Sequence, residues 1–277
     1  MALLIHSPYH VTGFWYPVYS SDLLRTGSVG VGICIEPGVL IRVEKGRGLF
    51  INGEKIDFKN TRELVESLRL NVKSKFHLGQ GFAMSAIITL SASLANSLMV
   101  NESIYEAIIK AHKIEAENGT GLGDVMALFI GGGMIVRERP GPPSIGYAYP
   151  IKVDNKFSLL ISSMGEMPTQ RVLMEKHEEL VKYGKQAMEA FLTSPSVEEF
   201  FLLAKEFTKK VGMLDHEIEE KLNKAGIEYY YKKKGALIML VNKGEEEGAL
   251  KMLKGLGIEA ENFNFCSKGI SVRLIED

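Results

Sequence analysis

The segment Gly79-Gln80-Gly81-Phe82-Ala83-Met84-Ser85 constrains this chain more than any other. It joins an extended run ending near Lys75 to a helical run of small residues from about Ser85 to Leu98. Glycine lets a backbone turn sharply and approach an anion with no Cβ between them. A helix N-terminus adds unpaired N–H groups and about half a positive charge. The loop is therefore shaped to hold phosphate, although a glycine turn ahead of a helix is most often only a turn. Its weight rises with a second glycine run downstream, Gly119-Thr120-Gly121-Leu122-Gly123-Asp124, which ends on a carboxylate. The helix between them is unusual too. Ala86, Ser91, Ala92, Ser93, Ala95 and Ser97 leave it almost without charge or bulk, the pattern of a helix packed closely on several sides.

A chain of 277 residues with 45% hydrophobic and 24% charged residues has ample material for one large domain or two modest ones. The formal net charge of −1, with no long basic block, argues against an extended nucleic-acid or anionic-membrane surface and leaves room for a small anionic substrate. Met1-Ala2-Leu3-Leu4-Ile5-His6 lacks the basic region and long apolar core of a signal peptide. No stretch reaches the roughly 20 apolar residues of a membrane span, so a cytoplasmic protein is expected. Cys34 and Cys266 lie far apart in sequence, each within an apolar strand-like run, and read as buried, unreactive thiols rather than a disulfide framework or a metal site.

Strands are expected over Ser28–Glu36, Val39–Lys45 and Gly48–Ile56, with turns at Pro37-Gly38, Gly46 and Asn52-Gly53, the last a strong hairpin signal. Helices are expected over Thr61–Leu70, Ser85–Leu98 and Ser103–Asn118, where Ser103 and Glu106 form a capping box. An extended pair, Gly132–Arg137 and Ser144–Tyr149, follows. A more charged texture begins near Asp154-Asn155, which places a domain boundary between residues 153 and 154. The second half reads as a strand over Phe157–Ser162 and helices over Thr169–Phe191, Val197–Val211 and Glu217–Ala225. Strands Ile227–Tyr231 and Ala236–Val241, a helix Glu245–Leu256, and strands Glu259–Phe263 and Ile270–Ile275 complete it. The short connections between the last strands favour an antiparallel sheet with helices on one face, an α+β class.

Several residues in these segments carry chemistry. Ser85 either caps its helix or, with a nucleotide bound, ligates the Mg²⁺ that bridges the phosphates. Asp124 is either a first-turn carboxylate favoured by the helix dipole or a group that orients a substrate hydroxyl for attack on phosphorus. Glu115 and Glu117 close the preceding helix, too near in sequence to share a face, so that one could meet a metal while the other is solvated. His10, among turn and aromatic residues, is a core histidine or a donor to phosphate or carboxylate. Arg25, ahead of Thr26-Gly27-Ser28, pairs with a carboxylate or lies on the surface. Lys232-Lys233-Lys234 reads as a solvated hairpin turn. The six histidines show no zinc spacing.

Taken together, these segments resemble the GHMP kinases, the superfamily of galactokinase, homoserine kinase and mevalonate kinase. Their Gly-x-Gly-x-x-Ser-Ser-Ala loop is matched by Gly79 to Ala86, and their Gly-x-x-Ser-Gly-x-Asp segment with Gly-Gly beyond is approximated by Gly119 to Asp124 and Gly131-Gly132. The resemblance implies ATP and Mg²⁺, with Gly79, Gln80, Gly81, Phe82, Ala83, Met84 and Ser85 around the phosphates. Ser85 and Glu115, with Glu117 as the alternative, would hold the metal, and Asp124 would be catalytic. Within the superfamily, Pro8–Phe14, Gly27–Gly32 and Glu117–Asp124 look most like a branch acting on a small hydroxy acid, for which His10, Arg25 and Ser28 are the candidate contacts. The implied fold is α+β with two domains, a ribosomal-protein-S5-like domain over residues 1–153 and a ferredoxin-like domain over 154–277, with the active site between them and a homodimer by analogy. Two departures stand out. His10 occupies the place of a lysine common in the family's N-terminal segment, and the C-terminal glycine motif is reduced to Lys234-Gly235-Ala236. The alternatives are a GHMP kinase for another alcohol, homoserine- or mevalonate-like, and a non-catalytic nucleotide-binding module on the same fold.

Overall fold

Two long strands organise the molecule. The computed structural model describes residues 2–165 and 176–275 and opens on β1 (Ala2–Val18), which a 3-10 turn at Leu23–Arg25 returns into β2 (Gly27–Lys45). The two pair antiparallel from Leu3 opposite Val43 to Val18 opposite Gly27. Ser7–Trp15 is buried without a break, because both faces of β1 are covered; the alternation that advertises a half-exposed strand is missing there. The turn expected at Pro37-Gly38 is absent. β2 runs straight through it, with a cis Glu36–Pro37 peptide and a register slip opposite, between Ser7 and Tyr9. A bulge is a place where a strand tolerates proline's missing N–H.

Asn52-Gly53 makes the expected hairpin. β3 (Gly48–Ile51) and β4 (Glu54–Ile56) close with Ile51 opposite Glu54, and the φ values of 51° and 91° at the two turn residues suit a primed turn. The helix expected over Thr61–Leu70 does not form. A 3-10 turn at Lys59–Thr61 and an irregular stretch lead into β5 (Leu68–Lys73), whose Leu68, Leu70 and Val72 point inward with period two. β5 lies between β2 and β3, and that pairing outweighs the helical propensity of its approach.

α1 (Met84–Met99) and α2 (Ile104–Asn118) follow, the second with the Ser103–Glu106 capping box. Twelve of the sixteen residues of α1 are buried, as its small side chains require. α3 (Asp124–Ile130) then leads to the antiparallel pair β6 (Met134–Arg139) and β7 (Tyr147–Ile151). Beyond it come β8 (Phe157–Ser163), α4 (His177–Thr193), α5 (Val197–Lys210), α6 (His216–Lys224), β9 (Tyr229–Lys233), β10 (Ala236–Asn242), α7 (Glu246–Gly255), β11 (Glu261–Phe265) and β12 (Ser271–Ile275). Residues 169–175 of the helix expected from Thr169 lie outside the described residues.

Strands β9, β10, β8 and β11 are antiparallel as expected, but helices cover both faces of this sheet rather than one. Leu159, Ile161, Ile238 and Leu240 face Phe200, Phe201 and Phe207 of α5; Leu160, Leu237 and Met239 face Leu222 of α6 and Leu253 of α7. Both sets of alternating positions are apolar, the signature of a strand buried on two sides. β11 continues from β8 onto Ile35 and Glu36 of β2, and β12 pairs with the start of β1, so the last strands join the first sheet. Cys34 and Cys266 meet at this junction as free buried thiols, the Cys266 N–H donating to the Cys34 carbonyl at 2.8 Å. Among the described residues no helix is long and apolar enough to cross a membrane.

Candidate active site

The glycine loop is held from beneath by its own side chains. Phe82 is buried and stacks on Phe76 with ring centroids 3.5 Å apart, and Met84 is buried beside Ser74. These two side chains are anchors, so only their backbone faces the loop's concave side. Gln80 accepts the His77 N–H at 3.0 Å. Gly79, Gly81 and Ala83 all have positive φ, of 87°, 101° and 59°. At Ala83, the N-cap of α1, that conformation is strained, which is common where a backbone is shaped around a ligand.

Ser85 lies in the first turn of α1 and does not cap it. Its hydroxyl donates to both oxygens of Glu115, at 2.6 and 2.8 Å. Glu115 is buried on α2, and its Oε1 also accepts from Thr89 Oγ1 at 2.8 Å and Asn60 Nδ2 at 2.5 Å. Burial raises its pKa, against the pull of the Ser85, Thr89 and Asn60 hydrogen bonds. No cation pairs with it among the described residues. Glu117, two residues on, is exposed.

Asp124 occupies the first helical position of α3, after Gly123, where the dipole favours a carboxylate. Its Oδ1 accepts from His10 Nδ1 at 2.7 Å, while Nη1 of Arg137 lies 3.3 Å from His10 Nε2. A guanidinium only donates. Nε2 is therefore the acceptor, the proton sits on Nδ1, and His10 is neutral. Burial pushes its pKa down to about 4 despite the hydrogen bond to Asp124. Burial acts to raise the pKa of Asp124, but Lys233, His10 and Arg137 outweigh it and hold the carboxyl well below the ordinary range. His10 is fully enclosed while the Asp124 side chain is 17% exposed, so this carboxylate reaches solvent where the histidine does not.

The two carboxylates face each other across Gly121. A Cβ placed there would lie 2.5 Å from Glu115 Oε2 and 3.6 Å from Asp124 Oδ2. Ser28 belongs to the same cluster, because a Cβ at Gly123 would lie 2.6 Å from its hydroxyl and 2.7 Å from Arg137 Nε. Arg25 does not. Its side chain is exposed and lies 3.7 Å from Asp22.

Sequence reasoning missed Arg137, Lys233, Asn60 and Thr89. Arg137 directly follows the apolar run Met134–Val136 and is buried like it, a burial that packing alone does not ask of a charge. The reading of Lys232–Lys234 as a solvated turn is wrong: Lys233 is buried, Lys232 pairs with Asp215, and burial pushes the Lys234 pKa down to about 7. Two atoms of the cluster, Arg137 Nε and Asn60 Oδ1, are buried without a partner among the described residues. Such groups concentrate where a ligand completes a site.

A positive-φ glycine loop at a helix N-terminus, a hydroxyl–carboxylate pair beneath it and an anionic aspartate opposite define a small-molecule kinase of the GHMP type. No family model matches the chain. Its fold matches the mevalonate-3-kinase of Thermoplasma acidophilum at a TM-score of 0.68 and 11% identity, over 98% of both chains. A solved phosphotransferase related to the coenzyme A biosynthesis pathway matches at 0.85 and 25% identity, over 99% of each. Pantoate kinase from Methanocaldococcus jannaschii is 31% identical over 226 residues, 76% of this chain and 82% of its own length. That from Thermococcus kodakarensis is 29% identical over 234 residues, 77% of each. The chain belongs to the pantoate kinase family.

Proposed function

We propose that this protein transfers the γ-phosphoryl group of ATP to the primary hydroxyl of (R)-pantoate, giving 4-phosphopantoate for coenzyme A synthesis. One observation carries the proposal: an anionic Asp124, ringed by His10, Arg137 and Lys233, faces the Ser85–Glu115 pair across Gly121 in a chain of this family. Phosphoryl transfer asks mainly for positioning and charge stabilisation. In this reading the backbone of Gly79–Ser85 cradles the triphosphate. Asp124 Oδ2 accepts from the pantoate hydroxyl and aims its oxygen at phosphorus. A carboxylate held this far below its ordinary pKa orients the hydroxyl early and takes the proton only as the new O–P bond forms.

Ser85 and Glu115 fit Mg²⁺. Glu115 Oε1 is saturated by three donors, whereas among the described residues Oε2 accepts from Ser85 alone and lies toward Gly121, where the missing Cβ leaves space. No group of three metal-binding acidic, histidine or cysteine side chains occurs among the described residues. With a nucleotide bound, Ser85 and Glu115 would hold Mg²⁺ together with its phosphates and water, where it would neutralise developing charge. His10 fixes Asp124 through its tautomer. Ser28, beside Gly123, is the proposed contact to the pantoate acid, with Arg25 at the entrance to the same strand. The division into domains 1–153 and 154–277 is part of the proposal.

A coupled assay of ADP release over a panel of alcohols tests it. Pantoate should be turned over, and Asp124→Ala should lower the rate by about 100- to 10,000-fold with the fold retained. Turnover of homoserine or mevalonate but not pantoate overturns the substrate. An Asp124→Ala enzyme of ordinary activity overturns the role.

A further inference from the structure

The hairpin joining β9 to β10 ends on the glycine loop. Lys233 and Ala236 form its last pair, and Lys234, with φ of 55°, and Gly235 make the two-residue turn. A Cβ at Gly81 would lie 2.5 Å from the Lys233 carbonyl and 3.3 Å from Ala236 Cβ, so the strand end is packed directly on the loop. The Lys233 side chain is buried, yet its ammonium has no hydrogen-bond or ion-pair partner among the described residues. Asp124 attracts it from outside contact distance, and Arg137 repels it.

An ammonium in a largely buried side chain with no anion in contact favours an anionic ligand that reaches it. Lys232, its neighbour, has an anion of its own in Asp215, and nothing in the packing requires a charge at 233. Lys233 lies between Asp124, which attracts it, and the loop at Gly81, which its backbone packs against, the place the proposed function gives the transferring phosphoryl group.

We propose that Lys233 is a catalytic cation that contacts an oxygen of the phosphoryl group in flight. This rests on the kinase reading above. In the step, the acceptor oxygen forms a bond to phosphorus, the bond from phosphorus to the β–γ bridging oxygen breaks, and its electron pair leaves with ADP. The hydroxyl proton passes to Asp124, while Lys233 keeps its protons and balances the charge spreading over the equatorial oxygens. The cation that many GHMP kinases carry in the N-terminal segment, where this chain has the neutral His10, is thus supplied from the far end of the sequence.

The test uses Lys233→Met and Lys233→Ala in the full-length protein, with wild-type turnover of the best acceptor as reference. Expected are a loss of at least about 100-fold in kcat, an acceptor KM and an ATP Kd within about fivefold of wild type, and a melting temperature unchanged or raised. Propylammonium should restore at least tenfold of the Lys233→Ala activity, which a merely structural role would not allow. Three results would overturn the proposal: kcat within threefold of wild type; a rise in acceptor KM alone, which would make Lys233 a contact to the acid; or a loss of activity and melting temperature together without amine rescue. A wild-type enzyme that prefers another alcohol defeats the pantoate assignment and leaves this test intact.

Discussion

Gly121→Ala is the sharpest probe of the proposed geometry, because it adds one methyl group where the two carboxylates face each other. The new Cβ would fall 2.5 Å from Glu115 Oε2, against an ordinary contact of 3.4 Å or more. Glu115 must then retreat by about 0.9 Å, since the Asp124 side at 3.6 Å is already in normal contact. It has little freedom to do so. Ser85, Thr89 and Asn60 hold the carboxylate at 2.5–2.8 Å, and moving away breaks at least one charge-assisted hydrogen bond, a cost of about 1.5–3 kcal/mol. Misplacement by about 1 Å costs on the order of 100-fold in rate, about 2.7 kcal/mol.

The backbone at Gly121 lies outside the left-handed region that excludes alanine, so the protein should fold, with a melting temperature lower by a few degrees. The ADP-release assay should show kcat/KM down about 100-fold and half-saturation with Mg²⁺ shifted to higher concentration. Activity within threefold of wild type, with an unchanged Mg²⁺ titration, would refute the assignment of Glu115 Oε2 as a ligand position.

Two further expectations concern protons. His10 titrates near 4 in the folded protein and near 6.5 when unfolded, so between those values the unfolded chain binds the extra proton and stability falls as pH drops. About 3 kcal/mol should be lost between pH 6.5 and 4, and urea midpoints with the same pH dependence in wild type and His10→Gln would contradict it. Lys234, with a pKa near 7, is largely neutral at pH 8. Phosphates arriving beside it should draw a proton onto it, so calorimetry of ATP binding at pH 8 in buffers of different ionisation enthalpy should show uptake approaching one proton in wild type and none in Lys234→Met. Equal values in the two proteins would remove Lys234 from the phosphate site.

The parts of the site legible in the sequence are those whose chemistry is local. Gly79–Ser85 and Gly119–Asp124 each carry their turn residues and helix start within a few positions, and the capping box at Ser103 and the Asn52-Gly53 hairpin are local for the same reason. What escaped depends on residues distant in sequence. β1 shows no period because α4 and α5 cover the face that solvent would otherwise take. Arg137 has the sequence context of a strand residue, and only the approach of His10, 127 positions earlier, gives its charge a purpose. Thr61–Leu70 has helical propensity, and only the β2 and β3 on either side turn its end into the strand β5.

The same distinction explains the lysine run. Three consecutive lysines most economically mean solvent, and a single chain position cannot show otherwise. Once the β9–β10 turn is placed on Gly81, however, the strand's alternation sends neighbouring side chains to opposite faces, Lys232 to Asp215 on one side and Lys233 into the cleft on the other. Neighbouring lysines that look redundant in sequence take different places in space. With His10 neutral, two Arg137 nitrogens turned to His10 and Thr12, and Glu115 and Asp124 both acidic, Lys233 adds a cation on the Asp124 side of the cleft, next to the Lys234 of the same turn. The reduced glycine motif at Lys234-Gly235-Ala236 is then a shortened turn that brings a cation to the phosphate loop.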